Sequence, residues 1–379
     1  MTPHLERDVG DSRRPASPFQ APGEWRLPCR WPRGPWGDRR SHAMDNLTHG
    51  LLGLAIGAMR KPDVRPGAPE RASPTDRAVL VASVLAAELP DLDTLLARGD
   101  AVTVALQAHR GLSHALVAAP LVALTATLAA RALFRGARLA PVFLTSLASV
   151  VFAHLLPDLW TGWGTRVLLP FSDSRLSLDW TMVVDPWVTL PLLAGAILAW
   201  RRRADWRRTL LWSAACSVAY VGFRVATWAV LTQRVEAAYP AAQAVRVFPL
   251  PFSVSTWRYV ATLPGDVFAA GEVPLAGPPS EARRAEATGS TLPEHVQAVP
   301  TVREALAWAR FPLVHMEPLA EGGQKVRIAD LRYHLRGEPT LAFVIHLDAS
   351  NAVTHAQLER GGSASELLRK WRSADTAAP

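Results

Sequence analysis

The amino-acid sequence predicts a mainly α-helical, polytopic membrane bundle of four to six spans that carries a small β-rich extramembrane domain at its C-terminal end. Three observations carry that expectation. Of 379 residues, 49% are hydrophobic and only 20% charged, with a mean hydropathy of +0.09, more apolar than soluble enzymes usually are. The apolar residues fall in long runs between Leu47 and Leu231, whereas the chain after Gln233 is patterned like a soluble domain. The net charge of +8 sits largely in short loops between the apolar runs, as membrane proteins carry it. This composition excludes disordered and fibrous architectures. Two cysteines in unlike surroundings, Cys29 in a polar stretch and Cys216 in an apolar one, argue against a disulfide framework.

Residues 1–43 are Pro- and Arg-rich and lack the apolar core of a signal peptide. They read as a disordered or non-native extension, with organised sequence opening at Met44. Residues 44–232 form the helical membrane domain. A full crossing needs about 20 apolar residues, and Ala115–Phe134, Leu139–Pro157, Thr181–Trp200 and Thr209–Leu231 come close. Leu47–Met59 and Ala78–Ala87 are shorter and are expected to pair as a hairpin. Thirteen basic residues lie in one set of loops: Arg60, Lys61, Arg65, Arg71 and Arg77; Arg131, Arg135 and Arg138; Arg201, Arg202, Arg203, Arg207 and Arg208. The opposite loops hold four, Arg98, Arg110, Arg166 and Arg175. The positive-inside rule puts the first set in the cytoplasm. The loops 88–114 and 157–185 and the C-terminal domain then lie outside, with Trp160, Trp163, Trp180 and Trp187 suited to the outer interface.

Residues 233–379 show the short alternating or β-branched runs of strands: Ala244–Phe248, Thr256–Thr262, Lys325–Ala329, Leu331–Leu335 and Thr340–Leu347. Val302–Arg310 reads as a helix, and the Pro/Gly/Ser/Ala-rich stretch Val273–Pro293 as a spacer. The five His of this domain, His295, His315, His334, His346 and His355, lack ligand-like spacing and read as structural.

The chemistry lies in ionisable residues at the ends of apolar segments. His49 opens the first segment; Glu88, Asp91 and Asp93 end the second in ELPDLD; His109 and His114 precede the third in HRGLSH; His154 and Asp158 end the fourth in HLLPD. In the topology above all of them fall at the outer helix ends. Buried charges at membrane depth are costly unless paired, solvated or metal-bound. Imidazoles with carboxylates and no thiolates suit Zn²⁺, Mn²⁺ or Fe²⁺. His154 and Asp158 at i, i+4 share a helix face, although Pro157 between them disturbs the turn. Asp45 reads as a cap more readily than as a ligand. Arg224, inside the last span, reads as a residue that snorkels or pairs internally rather than one that binds substrate.

MDNLTHGLLG, ELPDLD, HRGLSHAL and HLLPDLWTGWGTRVLLPFSDSRLSLDWTMVVDP together resemble the YdjM-like family of bacterial inner-membrane proteins, described as metal-dependent hydrolases and linked by name to LexA. The family is in turn remotely similar to zinc-dependent phospholipase C and related nucleases. The resemblance implies a bacterial inner-membrane, multi-pass protein with a metal site built from His49, Asp91 or Asp93, His109 or His114, His154 and Asp158. No second His-x-x-x-Glu pair follows Asp158, so one or two divalent ions, zinc foremost, are expected rather than three. The function so implied is hydrolysis of a phosphoester, such as a phospholipid head group, at the outer face. A metal-activated water attacks, and Asp91 or Asp93, whichever is not a ligand, acts as general base. Arg110, Arg166 and Arg175 are placed to clamp phosphate oxygens. A transporter or a purely structural polar cluster is the rival. A transporter places its ionisable groups near mid-membrane, and here they gather at one end. Nucleic acid is not an expected partner, because the basic loops are short and carry no recognisable binding motif.

Overall fold

The computed structural model describes residues 46–62, 73–97, 99–202, 205–286, 288, 292–320, 322–335 and 338–361. The extension 1–43, Cys29 and Asp45 lie outside those residues.

Helix α1, Asn46–Met59, and α2, Pro74–Glu88, form the expected hairpin. Ser73 starts α2 with a reciprocal capping box to Asp76, and Pro74 supplies a preset φ in the first turn. The pair meets along a small-residue seam. A Cβ on Gly53 would lie 2.6 Å from the Ser83 carbonyl oxygen, so glycine is required for this approach. The contact sets the start of α1 beside the end of α2, where Asn46 Nδ2 donates to Glu88 Oε2 at 3.0 Å.

Helix α3, Ala119–Leu133, and α4, Leu139–Ser149, pack on α2 through Ala86, Ala119, Ala123, Ala126 and Val150. Beyond Ser149 the chain widens into a π-helical turn, Val150–Leu155, and closes with Leu156–Trp160. Helix α5, Pro186–Arg201, and the long α6, Trp206–Ala238, complete the bundle. Leu121, Leu128, Leu144, Phe152, Trp200 and Val218 point outward from it.

Among the described residues three helical stretches are long and apolar enough to cross a membrane: Leu116–Leu133, Leu139–Trp160 and Trp206–Ala238. With 14, 15 and 16 residues, α1, α2 and α5 are shorter than the roughly 20 of a full crossing. The run expected over Thr181–Trp200 becomes helical only at Pro186, because the Asp185 carboxylate accepts from Trp187 N and starts the helix there.

The C-terminal half contains two four-stranded antiparallel sheets. The first runs β1 (Ala244–Pro249), β2 (Thr256–Leu263), β3 (Val267–Pro274), β4 (Ser280–Glu286) in spatial order. The second has β5 (Pro312–Pro318), β6 (Gln324–Asp330), β9 (Leu341–Leu347) and β10 (Val353–Arg360), ordered β10-β9-β6-β5. Helix α7, Pro300–Trp308, covers the second sheet, and β7 (His334–Leu335) and β8 (Glu338–Pro339) form a small ribbon. The stretch read as a spacer holds the end of β3 and all of β4. Strand β4 is a charged edge strand whose residues are mostly exposed, so no hydrophobic alternation marks it. The strand expected over Leu331–Leu335 is instead a 3-10 turn leading into β7, since Asp330 Oδ1 accepts from Arg332 N and bends the chain.

Helical and β halves are joined by packing. Leu231 and Val235 of α6 enter the first sheet's core beside Val247 and Tyr259. Val102 and Leu106 enter the second sheet's core beside Trp308 and Ile345. The loop after α4 is tied to the same sheet: Arg310 forms a bidentate pair with Asp179, and Arg332 Nη1 donates to Gly162 O at 2.6 Å. Of the two readings of Arg224, snorkelling and internal pairing, its burial favours the second. Arg224 lies 3.8 Å from the Trp257 ring centroid and donates to the carbonyls of Trp180 and Ser253.

Candidate metal centre

Two proline-bearing helix ends build the site. Leu89-Pro90-Asp91 follows α2, and Leu156-Pro157-Asp158 opens the short segment Leu156–Trp160 beyond the π turn, so the same tripeptide occurs twice and each time presents its Asp inward. Pro157 has no N–H to give the carbonyl of Ala153 one α-helical turn back. That carbonyl instead accepts from His49 Nδ1 at 2.9 Å. Ala87, in the last turn of α2, likewise has a carbonyl free of helical duty, and it accepts from His154 Nδ1 at 2.6 Å. A carbonyl can only accept, so each neutral ring carries its proton on Nδ1 and turns the Nε2 lone pair inward. The π-helical turn over Val150–Leu155 swings His154 to that position.

The inward atoms converge. His154 Nε2 and His114 Nε2 are 3.0 Å apart, and Asp91 Oδ1 lies 3.2 Å from His114 Nε2 and 3.6 Å from His154 Nε2. Asp158 Oδ2 is 3.4 Å from His114 Nε2, and Asp158 Oδ1 is 3.6 Å from His49 Nε2. Ligands at about 2.1 Å around a tetrahedral ion are separated by about 3.4 Å, which is the spacing seen. Three groups have ligand atoms all within 4.8 Å of one another: His49, Asp91 and His154; Asp91, His109 and His114; His114, His154 and Asp158.

The donor set fits a divalent cation. Asp91 Oδ2 and both Asp158 oxygens are buried without a hydrogen bond, as is His109 Nε2. Arg110 Nη2 does lie 2.6 Å from Asp158 Oδ1, an ion pair without hydrogen-bond alignment. With the imidazoles neutral, as metal ligands are, the carboxylates of Asp91, Asp93 and Asp158 against this one guanidinium leave two negative charges, the charge one divalent ion neutralises. Beside His49, Arg110, Asp158 and Thr181 is a cavity of about 20 Å³, room for one water.

Asp93 differs from Asp91. Its oxygens face the outer nitrogens of the rings, with Oδ1 3.2 Å from His109 Nδ1 and Oδ2 3.3 Å from His114 Nδ1, and Oδ2 accepts from Ser113 Oγ at 2.5 Å. This is the carboxylate–histidine arrangement that orients metal-binding imidazoles. Burial opposes charge on these groups. Even so, hydrogen bonds from His114 and His109 hold Asp91 and Asp93 below the usual carboxylate range, and the two Asp push His114 up to about 9.

His49, Asp91, Asp93, His109, His114, His154 and Asp158 are thus all in one place. His114 sits in a separate 3-10 turn, Leu112–His114, and His109 directly follows a second π turn, Val104–Ala108. The three arginines expected to grip substrate are held by the protein itself. Arg110 is buried on Asp158 and Thr161 Oγ1, with its backbone in the left-handed region at φ +57°, a strained state for a non-glycine residue. Arg166 Nη2 donates to Leu106 O at 2.6 Å, and Arg175 Nη2 donates to the same oxygen, so both hold the segment leading into His109. Asp173 pairs with Arg166, Asp179 with Arg310, and Asp185 starts α5. Residue patterning missed Ser113 and the Arg110–Asp158 pair. The repeated Leu-Pro-Asp is the signal that marks the two Asp.

Fold and site define a class: a membrane protein whose apolar helices enclose a His/Asp cluster able to hold a metal ion. Residues 44–231 match the family described as YdjM inner membrane protein, and over those residues the chain belongs to that family. It is also 28% identical over 158 residues to the uncharacterized protein YfhP of Bacillus subtilis (strain 168). That match covers 41% of this chain and 46% of the relative, less than half the length of either. No solved structure matches the chain.

Proposed function

We propose that the chain is a membrane-embedded, metal-dependent hydrolase acting on phosphoesters, with phospholipid head groups as the substrate class, at the outer face of the bacterial inner membrane. The observation that carries this reading is the convergence of His Nε2 and Asp oxygens from four separate segments, with buried oxygens left unpartnered. His49, Asp91, His114, His154 and Asp158 hold one or two ions, zinc first by the chemistry of the donors. A bound cation supplies a Lewis acid that lowers the pKa of water and polarises a phosphoryl oxygen. Asp93, outside all three ligand groups and the more exposed carboxylate of the pair, orients His109 and His114 from behind and is the carboxylate left to relay a proton away from the site through them. Arg110 fixes Asp158 and, with its charge, favours an anionic substrate. Thr161 and Thr165 hold Arg110 in place.

In this reading α1, α2 and α5 enter the bilayer beside the three longer helices, and the basic loops lie in the cytoplasm. The C-terminal domain and the site then face outward. The preference for phosphoesters rests on the resemblance to zinc-dependent phospholipase C.

A second reading has one observation in its favour. The cavity at the cluster has room for one water and not for a substrate, as suits a structural ion. The test for both is purified, metal-loaded protein assayed on phospholipids and on generic phosphodiesters. Turnover lost in the His154→Ala, Asp158→Ala double variant supports the hydrolase. Bound metal without turnover on any ester supports the structural ion. Absence of transition metal, or activity surviving the double variant, rejects the metal-dependent hydrolase.

A further inference from the structure

A cavity of about 600 Å³ lies at the far end of α1 from the metal cluster, between the last residues of that helix and the first turns of α6. Its size is that of a small-molecule site. Arg60, Lys61, Arg207 and Arg208 line it together with Met59, Leu211 and Trp212. The first turn of α6 carries Arg207 and Arg208, next to the N-cap Asp205, whose side chain makes no capping hydrogen bond. Part of this wall is fixed by the protein. Arg60 pairs with Asp76 at 2.6 Å, and Arg207 Nη1 donates to Ala58 O at 3.0 Å and to Arg60 O. Lys61 and Arg208 are exposed. So are the neighbouring Met59 and Trp212, at 67% and 63%, which places an apolar surface directly against the cations. The site is at the end of a membrane-length helix, the level at which head groups lie and at which basic pockets between helices bind anionic lipids.

We propose that this cavity binds one anionic phospholipid. Lys61 and Arg208, alongside Arg207, hold the phosphate, and Leu211 and Trp212 receive the first part of the acyl chains. The occupant is a lipid rather than free phosphate because the cations share the cavity with exposed apolar side chains that an inorganic ion leaves uncovered. Such a lipid bridges α1 and α6 at the end opposite the metal cluster. The proposal is independent of the hydrolase reading.

The test titrates the purified full-length chain in neutral detergent with phosphatidylglycerol, phosphatidylcholine or inorganic phosphate and follows thermal unfolding. Phosphatidylglycerol is expected to raise Tm saturably and the other two are not. The Lys61→Gln, Arg208→Gln variant is expected to need at least about tenfold more phosphatidylglycerol for the same shift, as loss of two phosphate contacts implies. Arg131→Gln, Arg135→Gln, which removes the same charge from the last turn of α3 and the connection that follows it, is expected to behave as wild type. The proposal is overturned if inorganic phosphate stabilises equally, if the Lys61/Arg208 variant keeps the wild-type response, or if the control variant loses as much. Native mass spectrometry, counting phosphatidylglycerol retained by wild type and by the control variant, gives a second reading that does not depend on the Lys61/Arg208 variant folding. Retention by both supports the site, and no retention by either contradicts it.

Discussion

The two ends of α1 handle charge in opposite ways. At its first turn His49 is 4% exposed and faces buried carboxylates; just past its last turn Lys61 is exposed among other cations. About 20 Å of helix separates them. At the buried end bulk water has little access, so the nitrogens and oxygens are aimed at protein partners or left buried without a hydrogen bond. At the exposed end the charges are solvated, and what sits among them depends on the surroundings. Burial, not residue type, makes the first end specific.

The largest effect is expected from Asp158→Ala. It leaves the Arg110 guanidinium buried without its carboxylate, a change that typically costs about 3–5 kcal/mol. Denaturant unfolding in detergent should show that loss together with loss of bound metal. Stability within 1 kcal/mol of wild type, on the order of an ordinary surface change, contradicts a tightly packed ionic end.

A pH scan of the metal-free protein sharpens the contrast next. His114 has its folded pKa raised to about 9 by Asp91 and Asp93, against the opposing effect of burial. Its stabilisation is therefore full below the unfolded value of about 6.5 and is lost as pH rises through 9. Asp91 and Asp93 are lowered, so theirs is present above the ordinary carboxylate range and lost in acid. Stability of the metal-free protein should fall between pH 6.5 and 9, and His114→Gln should flatten that limb. Adding zinc should remove it as well, since a metal-bound imidazole no longer takes a proton.

Pro157→Ala probes the link between backbone and ligand. The restored N–H competes for Ala153 O, which His49 Nδ1 now holds. Metal affinity, measured by competition with a chelator, should fall about 10–100-fold, the usual effect of losing an orienting contact. An unchanged affinity means that the carbonyl is not what aims His49. The smallest effect is expected at the other end: without lipid, Lys61→Gln with Arg208→Gln should alter stability by less than about 0.5 kcal/mol, because solvated charges are readily replaced.

Much of the buried end was legible in sequence, because ionisable residues in apolar runs are conspicuous whatever their partners. The i, i+4 spacing alone puts His154 and Asp158 on one face, and their nitrogen and oxygen are 3.9 Å apart across Pro157. Spacing could not tell Asp91 from Asp93. That distinction depends on which side of each imidazole a carboxylate meets, and a 3-10 turn over Leu89–Leu92 sets it. Nor could it show that Arg166 and Arg175 turn inward to Leu106 O, since a loop arginine reads the same whether it meets a carbonyl or a phosphate. In the β half, the strand expected over Thr256–Thr262 was legible from its apolar residues and runs Thr256–Leu263 with a continuous buried stretch, and the exposed edge strand Ser280–Glu286 was not.

The most direct test of the central claim is X-ray absorption spectroscopy on the purified chain after metal quantification. The account predicts one or two divalent ions per chain, with nitrogen and oxygen neighbours at about 2.0–2.2 Å, imidazole scattering and no sulfur. It also predicts that the signal disappears in the His154→Ala, Asp158→Ala variant. A chain without metal, or the same spectrum in that variant, contradicts it.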